Sequence, residues 1–270
     1  QPEALEALHR LADLAEGRLS DPARVETALR EAVRREGPGG GRAFERLRGH
    51  LASEGKQAAL AELLGDEAAR TQDVATRVGL YRQMAEIYRR DVDDLVAAAS
   101  CLEQAVSLTP DDRGLVLELA DLYLDAGRAE EAVATLQRVV DAFAGRRVKE
   151  AALFHHRLGR AYEALGDVPS ALDAYEAAFR VDLSSVPVLR DLGRLCHAQG
   201  DFDKAQKTFR ALLLQKLDGD EGIRKADVYF YLGDISAKQG DATKAIHMLE
   251  RAVNEDGGHP EAEQLLSSLR

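Results

Sequence analysis

The sequence predicts an all-α protein made of stacked helix pairs, and three observations predict it. Apolar leading positions recur at residues 11, 47, 84, 119, 158, 192 and 232, which are 36, 37, 35, 39, 34 and 40 residues apart. On both sides of a break within each unit, apolar residues recur three and four apart, the pattern of two amphipathic helices joined by a turn. Composition supplies the third: 45% of the 270 residues are hydrophobic and seven are proline, enough apolar surface to exclude a disordered chain. Neither helix of a pair can bury its apolar face alone, so neighbours must stack into a continuous core.

The first unit carries Leu8, Leu11, Ala12 and Ala15 in one helix and Val25, Leu29 and Ala32 in the next. Gly37-Pro38-Gly39-Gly40-Gly41 follows, a stretch suited to a hinge or a long turn between units. The second unit has Phe44, Leu47 and Leu51 before Gly55, then Leu60 and Leu64. The third has Met84, Ala85 and Tyr88, then Ala98, Leu102, Ala105 and Pro110, with one residue inserted in the turn between Arg89 and Asp93. Leu119, Ala120, Tyr123, Gly127, Ala132 and Leu136 mark the fourth.

The fifth unit is the clearest: Arg157-Leu158-Gly159-Arg160-Ala161-Tyr162, Gly166-Asp167, Ala171, Tyr175 and Ala178. It recurs as Asp191-Leu192-Gly193-Arg194, Gly200-Asp201, Ala205 and Phe209, and as Tyr231-Leu232-Gly233-Asp234, Gly240-Asp241, Ala245, Leu249 and Ala252. Glycine in the turn supplies the left-handed conformation that ends the first helix, and the aspartate after it starts the second. A small residue after the leading leucine lets the two helices approach closely. Inserts at 145–149 and 217–222 account for the two longest spacings and are expected as surface loops on one edge.

On the Leu-Gly, Tyr, Gly-Asp, Ala and aromatic set at 157–178 and its copies, the chain resembles the tetratricopeptide repeat family. The resemblance implies a right-handed α-α superhelix, a solenoid of about seven repeats over residues 1–258, with 259–270 as a capping helix or the start of a truncated eighth repeat. Tyr81, Val116, His155, Leu189 and Tyr229 stand where the family's first aromatic residue is tryptophan, and the closing proline is present at Pro110 alone.

Catalytic signatures are missing. Gly37 to Gly41 is not followed by Lys-Ser or Lys-Thr, so the phosphate loop that cradles a nucleotide is absent. His155 and His156 are adjacent and point about 100° apart on a helix, whereas paired metal ligands sit one turn apart. Cys101 and Cys196 lie at packing positions of separate units and read as small core hydrophobes. Carboxylates such as Asp93, Asp94, Glu130 and Glu131 recur on solvent faces. No nucleophile, base and orienting group can be tied together, so neither an enzyme nor a bound cofactor or metal is expected.

A net charge of −11 argues against a nucleic-acid partner, which needs a cationic footprint. No stretch approaches the length and apolarity of a membrane span or of a secretory leader, so no membrane insertion and a cytoplasmic location are expected. The missing initiator methionine and the arginine-rich composition suggest a module of a larger bacterial polypeptide. Similar degenerate arrays occur in large multi-repeat proteins of predatory and gliding bacteria, which by analogy points to motility, polarity or pilus machinery.

In arrays of the family, first helices line the concave surface, and the exposed positions lie two before, two after and five after the leading leucine. Applied to this chain, that geometry places Arg82, Arg89, Leu117, Leu124, His156, Arg160, Arg190, Arg194, His197 and Phe230 on the inside. Five arginines around an apolar patch suit a partner segment that is acidic and carries a large apolar anchor, because the guanidinium fork pairs with carboxylates bidentately. The opposing expectation is that these arginines pair with neighbours such as Glu86 and Glu163 and only solubilise the array. Asn254 is the only asparagine, so the asparagine-dependent clamp by which some family members hold chaperone tails is excluded. The leading expectation is a non-catalytic scaffold that binds a partner protein. The alternative is a ligand-sensing regulatory domain that controls an attached effector.

Overall fold

In the computed structural model the described residues are 2–37, 39, 41–143, 148–217, 222–255 and 259–270, and among them every regular element is helical. In chain order these are α1 (Pro2–Leu14), α2 (Pro22–Glu36), α3 (Arg42–Ser53), α4 (Gln57–Arg70), α5 (Val74–Ile87), α6 (Leu95–Leu108) and α7 (Arg113–Asp125). There follow α8 (Ala129–Ala142), α9 (Ala151–Ala164), α10 (Val168–Val181), α11 (Val186–Ala198), α12 (Phe202–Leu212), α13 (Lys225–Lys238), α14 (Ala242–Asn254) and α15 (Pro260–Leu269). The architecture is all-α and of the tetratricopeptide solenoid type. None of the described helices is long and apolar enough to cross a membrane.

The chain divides into two compact units, Gln1–Arg128 and Ala129–Arg270, with the division in the turn between α7 and α8. Within each, every helix packs on the next one in sequence, and α15 also touches α13. The core of the first unit gathers Leu29, Leu47, Leu51 and Leu64, all fully buried. That of the second is built from Tyr175, Leu189, Phe209, Leu212 and Ile235, and a further cluster of Leu249, Ala252, Ala262 and Leu266 attaches α15.

Close approach within a helix pair depends on the small residue after the leading leucine. A Cβ placed on Gly159 would lie 2.5 Å from Cδ1 of Tyr175, one on Gly193 2.9 Å from Cε1 of Phe209, and one on Gly233 2.7 Å from Cγ of Leu249. All three partners occupy the same position of the second helix, so a sequence regularity is at the same time a packing contact.

The second helices α2, α6, α10, α12 and α14 begin on aspartate. Asp21, Asp94, Asp167, Asp201 and Asp241 each accept a hydrogen bond from the backbone N–H three residues on, which satisfies one of the orphan donors of a helix start. The residue before each cap is left-handed. In the fifth and sixth repeats it is Gly166 (φ 74°) and Gly200 (φ 77°), but in the first and third it is Ser20 (φ 46°) and Asp93 (φ 59°). In those two repeats the first helix widens into a π-turn, Ala15–Leu19 and Tyr88–Val92. The residue inserted in the third turn is absorbed there, and the first repeat carries the same device, which its degenerate sequence conceals.

One register needs correcting. Leu11, expected as the leading core residue of the first repeat, is 48% exposed, while Ala12 and Ala15 are fully buried and Leu8 packs against the core. Two adjacent apolar residues left the phase of α1 ambiguous, and packing selected the smaller side chain. Of the expected hinge, Pro38 and Gly40 lie outside the described residues, as do 145–147 and 218–221 of the two inserts.

Candidate functional site

The ten residues expected on the inner surface separate into two groups. Arg82, Arg89, Leu117 and Leu124 belong to the first compact unit, and His156, Arg160, Arg190, Arg194, His197 and Phe230 to the second.

In the first unit, α5 and α7 face each other across a concavity of about 540 Å³ floored by Leu102 and Leu122. Arg82 and Arg89 line it together with Glu86, Glu118, Asp121 and Asp125, so two cations meet four anions. Both arginines are engaged: Arg82 Nε donates to Glu118 at 3.1 Å, and Arg89 Nη2 to Glu86 at 2.9 Å. Leu117 and Leu124 are half-buried and do not line this concavity. The expected basic and apolar patch is therefore a paired, net acidic surface here, because Glu86, Glu118, Asp121 and Asp125 line the same concavity as the two arginines.

The second unit brings four of its six candidates together. Arg160, Arg190 and Arg194 line a concavity of about 310 Å³ with Glu163 and Tyr175. Arg190, Asp191 and Arg194 also line an adjoining one of about 580 Å³, walled by Ile223, Arg224, Asp227, Phe230, Tyr231, His259 and Glu261. The two share one wall, the α11 face.

Local structure explains each position. Arg190 and Arg194 are one helical turn apart on α11 and so project to one side. Phe230 and Tyr231 come from α13, and the Phe230 ring stacks on His259 with centroids 4.6 Å apart and planes 19° apart. His259 caps α15, its Nδ1 accepting from Ala262 N–H at 3.2 Å, while its Nε2 lies 3.4 Å from the Asp227 carboxylate. Arg224 binds that same carboxylate through Nη2 at 3.0 Å. Burial would raise the Asp227 pKa, but the hydrogen bonds and charge of Arg224 hold it below the ordinary value.

His156 is a correction. It is not on the surface but 4% exposed, with Nε2 2.8 Å from Oδ2 of Asp191, itself 4% exposed. Asp191 also accepts two hydrogen bonds from Arg190, Nε to Oδ1 at 2.7 Å and Nη2 to Oδ2 at 2.9 Å. Burial pushes the Asp191 carboxyl upward, yet His156 and Arg190 together bring it well below the usual carboxylate range. His197 is half-buried and lies 2.5 Å from Oδ2 of Asp234, outside both concavities. Arg194 is exposed and donates to Glu163 at 3.1 Å.

Pairing of Arg89 with Glu86 and of Arg194 with Glu163 is the opposing expectation of the sequence, realised in the geometry. Pairs such as Arg46 with Asp13, Arg82 with Glu118, Arg194 with Glu163 and His197 with Asp234 run between adjacent repeats. Residues the sequence did not single out are Asp191, Ile223, Arg224, Tyr231 and His259. Asp191 sits one position before a leading leucine, outside the positions expected on the inner surface. Ile223 and Arg224 follow an apparent loop insert, and His259 belongs to the capping segment.

Two tetratricopeptide repeat models match the chain, over residues 90–153 and 185–254. No curated protein matches it in sequence. Among solved structures it is similar to Pseudomonas aeruginosa pilF, with 12% identity over 84% of this chain and 96% of that one and a TM-score of 0.57. It is also similar to a MamA protein, at 18% identity, 71% and 94% coverage and a TM-score of 0.53. YrrB, a TPR protein with an unusual peptide-binding site, matches at 20% identity over 70% of this chain and 91% of that one, with a TM-score of 0.52. With helix pairs, capped turns and glycine-mediated packing recurring at the repeat spacing, and with both family models matched, the chain is a member of the tetratricopeptide repeat family.

Proposed function

We propose that the chain is a non-catalytic interaction scaffold that docks a segment of a partner protein in the second compact unit. The segment is acidic, extended or helical, and carries one large apolar side chain. The observation that carries this reading is the convergence of Arg160, Arg190, Arg194 and Phe230 on two adjoining concavities. Arginine forks read carboxylates bidentately, and Ile223, Phe230 and Tyr231 offer an apolar wall for an anchor. Since the arginines are paired within the chain, an incoming carboxylate must exchange with Glu163 or share a guanidinium, so specificity comes from geometry more than from net charge. A peptide-binding site in YrrB is consistent with this use of the fold.

The test is fluorescence anisotropy with labelled peptides in which glutamates flank a single phenylalanine. The Arg160→Glu, Arg190→Glu, Arg194→Glu variant should lose at least about tenfold in affinity, about 1.4 kcal/mol, while Arg82→Glu, in the other unit, should bind as the native chain does. Equal binding by the triple variant and the native chain would overturn the reading.

A further inference from the structure

The two arginines of the α11 face differ in how they are held. Arg194 is exposed and donates to Glu163 through Nη2. Arg190 is clamped: Nε and Nη2 grip both oxygens of Asp191, and Nη1 lies 3.0 Å from where a Cβ of Gly222 would be. Gly222 has φ 71°, a conformation that side chains other than glycine rarely adopt, so the loop wall against Arg190 is closed to larger residues. Asp191 in turn is a buried carboxylate, and an unpaired one would be costly to keep there. His156, on α9 and equally buried, holds its second oxygen. A chain of three groups thus runs from the core of the repeat stack to a side chain that is 26% exposed and lines both concavities.

An arginine side chain loses rotamer entropy when it is immobilised. At Arg194 that loss falls on the binding event. At Arg190 folding has already incurred it, and the guanidinium plane is set before any ligand arrives.

We infer that the buried His156 and Asp191 are positioning residues that make Arg190 the fixed guanidinium of this groove, the point at which a partner's carboxylate is recognised by geometry. Arg160 and Arg194 contribute charge there. This rests on the docking reading above and names the residue that selects the ligand.

Lysine keeps the charge but lacks the planar fork, so the same labelled glutamate and phenylalanine peptide distinguishes the roles. Arg190→Lys should weaken binding about tenfold, and Arg194→Lys by no more than about twofold. His156→Leu, which removes the buried one of the two partners of Asp191, should weaken binding as Arg190→Lys does, and His156→Gln, which keeps an N–H donor, should restore most of it. Rescue by glutamine separates positioning from a loss of stability, and thermal melts check folding. If His156→Leu does not fold, the two lysine variants, both at accessible side chains, decide the matter alone. Equal weakening by the lysine variants, or native affinity in a folded His156→Leu, would overturn the inference and leave the docking reading standing. A peptide that fails to bind the native chain, or binds the triple glutamate variant equally, removes both.

Discussion

Gly159 of α9 lies directly under the ring of Tyr175 of α10, so close that a Cβ on the glycine would be 2.5 Å from both Cδ1 and Cε1. The ring is fully buried and its hydroxyl donates to Glu163 at 2.9 Å. It is therefore held at both ends and cannot retreat.

Glycine inside a helix ordinarily costs about 1 kcal/mol relative to alanine, so Gly→Ala at a helical site should stabilise. Gly49 of α3, exposed and with nothing within 4 Å of its Cβ position, should follow that rule. Gly159→Ala should reverse it, destabilising by about 1–3 kcal/mol through overpacking. Urea unfolding of the two variants measures the sign, and stabilisation by Gly159→Ala would show that the pair can move apart.

Asp93 ends the π-turn of the third repeat at φ 59°. Left-handed backbone disfavours β-branched side chains most, so Asp93→Val should cost about 1–2 kcal/mol. Asp93→Gly should stay within about 0.5 kcal/mol of native, since relief of the backbone offsets the freer unfolded chain. Thermal midpoints of the two variants give the comparison.

Acid should act through Asp191. Burial raises its pKa and the hydrogen bonds from His156 and Arg190 lower it further, leaving the folded value depressed. A depressed folded pKa contributes stability that is fully present above the unfolded value, about 4, and is lost as pH falls through the folded one. Between about pH 5 and pH 2 the urea midpoint of the native chain should therefore fall more steeply than that of Asp191→Asn, which starts lower. Parallel curves would show that Asp191 plays no part in the acid limb.

Both cysteines are buried, and burial pushes each thiol up to about 11. A thiol that rarely ionises is a poor nucleophile. Neither Cys101 nor Cys196 should react with a disulfide reagent at about pH 8 until urea unfolds the chain, after which both should react. Fast labelling of the folded protein would mean that the helices around one of them open readily.

Much of the fold is legible in the sequence because its devices are local. A glycine followed by aspartate states a turn and a cap at once, and a small residue after leucine states a close approach before any partner is known. Degenerate repeats are less legible. In α1 the adjacent Leu11 and Ala12 allow two phases, and only packing against α2 decides that Ala12 turns inward.

What the sequence by itself determined is the repeat, its register in the last five copies, the aspartate caps and the face to which Arg160, Arg190, Arg194 and Phe230 belong, all consequences of helical period and turn chemistry. What only the tertiary structure decided is which charges meet. His156 and Asp191 are 35 residues apart in the chain and 2.8 Å apart in space, and together they turn an exposed histidine on paper into a buried support for Arg190. Periodicity specifies the direction in which a side chain leaves its own helix, but the partner it finds depends on the rotation and spacing of the next helix, which packing alone sets.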